Sequence, residues 1–129
     1  MEEKQKWHFF NLYCMAVADG SYSPQELETL YKIAEEHGFT QEKINVVVLT
    51  AGLTPIVPDD FSEKISYLYD FARMAWADGV IDPSERVLMR KYVNLFGFEP
   101  DNTDGIIEYL LEKAKSNTPV EEIINEINQ

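Results

Sequence analysis

MAWADGVIDPSE, residues 74–85, restates a phrase that has already occurred as MAVADGSYSPQE at residues 15–26. Asp19–Gly20 falls on Asp78–Gly79, Pro24 on Pro83, Glu26 on Glu85 and Gly38–Phe39 on Gly97–Phe98, all at an offset of 59 residues. Across 15–39 and 74–98, ten of 25 positions are identical. Two copies are too few for a solenoid, which needs three or more units to bury a continuous core. The repeat therefore predicts one domain over 1–129, built from two helical hairpins related by a pseudo-twofold axis. Repeat 1 covers about 7–51 and repeat 2 about 61–116, with a C-terminal helix at 119–128.

Helical spacing accounts for the chain around the motifs. Leu27, Leu30, Tyr31 and Ala34 recur at i, i+3, i+4 and i+7, as do Val120, Ile123, Ile124 and Ile127. Phe61, Ile65, Leu68, Ala72 and Ala75 make a stripe leading into the second motif. INVVVLTAG (44–52) is β-branched enough for a buried strand. Its Ile44, Val47, Val48 and Ala51 nevertheless keep helical spacing, and it occupies the place of GIIEYLLEKA (105–114) in the other copy. The prediction is an all-α fold of about seven helices, at 3–19, 24–37, 41–51, 61–78, 83–96, 103–116 and 119–128. GLTPIVPDD (52–60) reads as a packed crossover between the halves.

Composition narrows the function classes. The chain of 129 residues is 45% apolar and 12% aromatic, enough for a proper core. A formal charge of −12, from 11 basic and 23 acidic residues, repels a phosphate backbone and disfavours nucleic acid. It favours cations or basic protein surfaces. No apolar run reaches the length of a membrane span, and MEEKQKW carries no signal-peptide apolar region, so a cytoplasmic location is expected. A single cysteine, Cys14, leaves no disulfide framework.

Much of the motif has a structural explanation. Gly20 and Gly79 suit a left-handed residue after a helix. Ser23 and Asp82 read as N-caps, Pro24 and Pro83 as the first helical residues, and Glu26 and Glu85 as the third, which is the capping box. Asp19 and Asp78 are harder to explain, because a carboxylate in a last helical turn faces the negative end of the helix dipole. Two readings stay open. The carboxylate accepts amide hydrogens of the turn, or it binds a hard divalent cation, calcium or magnesium, between Asp19 and Glu26 or among Asp78, Asp82 and Glu85. The EF-hand pattern is missing.

The doubled A-x-A-D-G-x-x-x-P-x-E, each copy followed by a helix and Gly-Phe, resembles the TerB-like family over about residues 7–116. This family is named for a bacterial tellurite-resistance protein and includes the N-terminal domain of a membrane-anchored DnaJ-type co-chaperone. The resemblance implies an all-α pseudo-twofold domain and a role in bacterial stress responses. It also implies metal-binding acidic residues, which by position are Asp19, Glu26, Asp78 and Glu85. Ser23 stands where the second copy has Asp82, leaving the first turn one carboxylate short.

No catalytic signature accompanies the motif. Glu-x-x-His, a Gly-rich phosphate loop, HExxH and G-x-S-x-G are all missing. A nucleophile–base dyad needs Cys14 beside His8 or His37, whereas Cys14 on an apolar helix reads as a core thiol. Trp7, Trp76, Phe96 and Phe98 read as packing, and Arg86, Arg90 and Lys91 as a short basic face that is either solvated or turned to an acidic partner. The expectation is a non-enzymatic binding or adaptor domain with a protein partner. The alternative is a divalent-metal-binding or metal-sensing protein using the two Asp-Gly turns.

Overall fold

The computed structural model describes residues 2–17, 23–50, 56–77 and 79–127. Among them are seven α-helices and no strand: α1 Glu3–Ala16, α2 Pro24–Glu36, α3 Gln41–Thr50, α4 Phe61–Ala75, α5 Pro83–Leu95, α6 Thr103–Lys115 and α7 Val120–Ile127. A short 3-10 turn, Pro100–Asn102, leads into α6. The β-branched stretch at 44–50 is helical, as its spacing predicts. Ile44 and Val47 are its buried pair.

Helix α4 forms the hub, packing on α1, α2, α5, α6 and α7. Ile65, Leu68, Phe71, Ala72, Met74 and Ala75 are buried on it, while Phe61, at the start of the predicted stripe, stays 45% exposed. Each fully buried Leu or Phe contributes about 1.5–3 kcal/mol relative to an exposed one. Aromatic contacts centred on Tyr92 join α1, α4 and α5. Phe71 stacks on Tyr92 at 4.2 Å, and Trp7 meets the same ring edge-on at 6.2 Å. Trp7 and Phe96 are core residues, as read from sequence; Trp76 and Phe98 are half-buried against the core. Of the crossover, Pro58 is buried and Val57 packs on the core, while 51–55 lie outside the described residues.

The repeated sequence produces repeated local structure. Ser23 accepts the Glu26 amide while Glu26 accepts the Ser23 amide. Asp82 and Glu85 close the same box at the head of α5. At the other end, α2 and α5 both finish in Schellman motifs. Gly38 (φ +85°) donates to Glu35 and Phe39 to Ala34, whereas Gly97 (φ +90°) donates to Asn94 and Phe98 to Val93. The doubled Gly-Phe is thus the helix stop. Asn117 (φ +55°) ends α6 the same way.

Two expected boundaries need correction. Helix α1 ends at Ala16 rather than 19, and α4 at Ala75 rather than 78. Beyond Ala75 the bonding tightens to i−3, with Ala77 donating to Met74 and Gly79 (φ +82°) to Trp76. Gly79 is left-handed as expected, but it closes this extra turn rather than following the helix directly. Asp78 itself lies outside the described residues, as do Asp19 and Gly20.

Candidate functional site

Among the described residues, one set of three potential metal-ligating side chains converges, and it is not in the acidic turns: His8, His37 and Asp70. His8 comes from the middle of α1, Asp70 from the middle of α4, and His37 from the C-cap of α2, where the Schellman turn fixes the backbone. His8 Nε2 lies 2.8 Å and His37 Nε2 3.2 Å from the same carboxylate oxygen, Asp70 Oδ2. A carboxylate only accepts, so both rings carry their hydrogen on Nε2. His8 Nδ1 is then a bare lone pair, buried without a partner, and its ring stacks on Tyr67 at 3.8 Å.

Burial separates the two histidines. His8 is fully buried, and desolvation pushes its pKa below the ordinary value despite the bond to Asp70. His37 is half-buried, and its bond to Asp70 outweighs desolvation and raises its pKa. Burial works against an ionised Asp70, yet the bonds from His37 and His8 hold its carboxyl below the usual range. The Arg73 guanidinium stands 3.9 Å from Asp70 Oδ1 and forks onto Glu36 at 2.7 and 2.8 Å.

This cluster floors a polar cleft of about 560 Å³. Lys32, Glu36 and His37 of α2 form one wall, Ser66, Tyr69, Asp70 and Arg73 of α4 the base, and residues 117–121 the far rim. The rim is tied down by the Tyr69 hydroxyl, which lies 2.5 Å from the Thr118 carbonyl and 3.1 Å from that of Lys113. At the offset of 59, four α4 residues of the cleft correspond to Trp7, Phe10, Asn11 and Cys14 of α1, and Lys32 and Glu36 to Lys91 and Leu95. Those six also share a depression, of about 250 Å³.

The site residues anticipated from sequence are placed differently. Glu26 and Glu85 are buried at the heads of α2 and α5, where each closes a capping box. Asp82 is an N-cap; the Ser84 hydroxyl and amide donate to it and lower its pKa. Asp19 and Asp78 cannot be joined to them, being outside the described residues. Cys14 is half-buried rather than a core residue, and burial pushes its thiol pKa up. Arg86 and Arg90 pair with Glu108 and Asp104 of α6, so most of the basic face is neutralised within the chain.

Sequence reasoning missed His8, His37 and Asp70 because no local spacing links them. Two signals were present. Asp70 interrupts the otherwise apolar run at 67–72, and the chain's two histidines could be tested for a common partner. No protein-family model, curated protein or solved structure matches this chain.

Proposed function

We propose that this chain is a non-enzymatic TerB-like binding or adaptor domain of a bacterial stress response, working in the cytoplasm, with the polar cleft as its partner-facing surface. The observation that carries the reading is the contrast between the two equivalent clefts. The cleft between α1 and α5 is filled with Trp7, Phe10 and Leu95; the one between α2 and α4 is lined with Ser66, Tyr69 and Glu36 over a buried ionisable floor. Packing alone requires nothing of the second kind. Cys14 makes no hydrogen bond to either histidine among the described residues, so the one conceivable nucleophile–base dyad gains no support. The family resemblance supplies the stress-response context.

The test compares capture of partners from the native host by the wild-type chain and by a Lys32→Glu/Glu121→Lys variant of the exposed rim. Each captured protein is then purified and its binding to both chains measured by calorimetry. A partner whose affinity falls at least tenfold with the rim reversal supports the reading. A partner bound equally by both chains overturns it, as does turnover of a small molecule that is lost in His37→Gln.

The calcium or magnesium reading of the acidic turns retains one favourable observation. Glu26 and Glu85 are both buried at the turns, with exposures of 2% and 5%. Calorimetry with either cation, on wild-type and Asp82→Asn chains, tests it. A saturable signal weakened in the variant supports it, and no heat of binding removes it.

A further inference from the structure

We propose that His8, His37 and Asp70 bind one zinc-class divalent ion at the floor of the cleft, with an open coordination position facing the cleft. The proposal is independent of the partner reading and of the acidic turns.

The geometry is close to that of a bound ion. One donor atom from each residue lies within 4.8 Å of the others. Zinc bonds of about 2.0–2.2 Å in a tetrahedron place neighbouring ligands about 3.4 Å apart. The His37–Asp70 separation of 3.2 Å already approaches this, and the His8–Asp70 contact of 2.8 Å must open by about half an ångström. A neutral imidazole then moves its Nε2 proton to Nδ1 and turns the freed lone pair to the ion, whereas a His37 ring that carries both protons releases one to solvent as the ion binds. His37 and Asp70 line the cleft while His8 lies behind them, so an ion reaches all three from the cleft side.

Donor chemistry selects the ion. Two imidazoles and one carboxylate suit zinc, cobalt, nickel or ferrous iron, whereas calcium and magnesium take oxygen ligands. Three protein ligands with a vacant fourth position is the open arrangement of reactive zinc sites rather than the closed one of structural sites. The position equivalent to Asp70 is Asn11, whose neutral bond to Tyr92 does the same linking work between helices. An ionisable acceptor is thus more than the scaffold needs. One feature limits the affinity: with the proton on His8 Nδ1, that N–H has no acceptor among the described residues. Binding should be about 10–100-fold weaker than at a site whose rings are both braced by outer-shell acceptors.

The experiment titrates the tag-free, chelator-treated full chain with cobalt(II), then displaces cobalt with zinc, following visible absorption and the NMR signals of the imidazoles. The chain has two histidines, so both are read individually. Expected are one equivalent of cobalt with the visible bands of a low-coordinate nitrogen–oxygen site, displacement by zinc, and shifts of both imidazoles. His37→Gln, at a half-buried position that should tolerate it, reduces affinity at least tenfold with helicity unchanged. Absence of saturable cobalt binding, unshifted imidazoles, or affinity undiminished in His37→Gln each overturns the proposal. So does a signal that survives His37→Gln and is lost in Asp82→Asn, which places the ion on the acidic turn.

Discussion

The two clefts at equivalent positions of the pseudo-twofold scaffold are lined by contrasting residues. Around α1, Trp7, Phe10 and Leu95 close over Asn11, which accepts from the Tyr92 hydroxyl at 2.5 Å and donates to the Trp7 carbonyl at 2.7 Å. Every buried polar atom of that pair is used, and the link is neutral. Around α4, Ser66 stands where Trp7 does, Arg73 where Cys14 does, and Asp70 where Asn11 does. The same helix-to-helix link is then made by a carboxylate shared between two imidazoles, beneath a cleft more than twice as large. A duplicated scaffold thereby provides its own control. What both sides need for folding is visible in the neutral pair, and the excess on the other side is what the proposed function draws on.

Exchanging the two acceptors should break this comparison most severely. Asn11→Asp puts a carboxylate against the Trp7 carbonyl with one hydroxyl donor, and Lys91 in the same depression makes no bond to Asn11 among the described residues, so a loss of about 3–5 kcal/mol is expected at neutral pH. Burial raises the folded-state pKa of such a group above its unfolded value. The penalty is therefore full at high pH and is relieved as pH falls through the raised pKa. Chemical denaturation across pH checks both the size and the sign. Asp70→Asn, the reverse exchange, keeps one acceptor oxygen but opposes an amide N–H₂ to donors, and should cost about 1–3 kcal/mol in the same measurement. Equal losses for the two exchanges would erase the distinction between the clefts.

Smaller effects sharpen the shared part of the scaffold. Gly38→Ala and Gly97→Ala should each cost about 1–2 kcal/mol. A Cβ at either site meets nothing within 4 Å, so left-handed backbone strain is the whole effect and the two losses should match. Thermal melts of the two variants decide it. Smallest of all, Glu26→Gln and Glu85→Gln keep an oxygen for the N-cap amide and should each cost under about 1 kcal/mol. A large loss at one of them alone would reveal a second duty for that carboxylate.

The fold was legible because its devices are local. Proline starts, capping boxes and Gly-Phe stops each occupy a few consecutive residues, and apolar spacing fixes which face of α4 or α7 is buried. The ends of α1 and α4 differ from expectation because the alanine-rich run before each Asp-Gly favours helix, and nothing in it signals the change to i−3 bonding seen after α4. The histidine cluster was illegible for the opposite reason: His8, His37 and Asp70 are brought together by helix packing, and no short window contains two of them. The doubled motif drew attention to the acidic turns instead, where Glu26, Asp82 and Glu85 serve the helix starts. Extending the repeat alignment upstream to pair Asn11 with Asp70 is the step that would have exposed the asymmetry.

The central claim, that one cleft carries a buried ionisable floor where its twin carries a neutral seal, is tested most directly by long-range nitrogen–proton NMR of the two imidazoles in the metal-free chain. Two histidines held by one carboxylate should both show the Nε2–H tautomer when neutral. His8 should stay uncharged below the ordinary histidine value of 6.5, while His37 remains protonated above it. Two rings that average their tautomers and titrate together near 6.5, as exposed histidines do, would contradict the account.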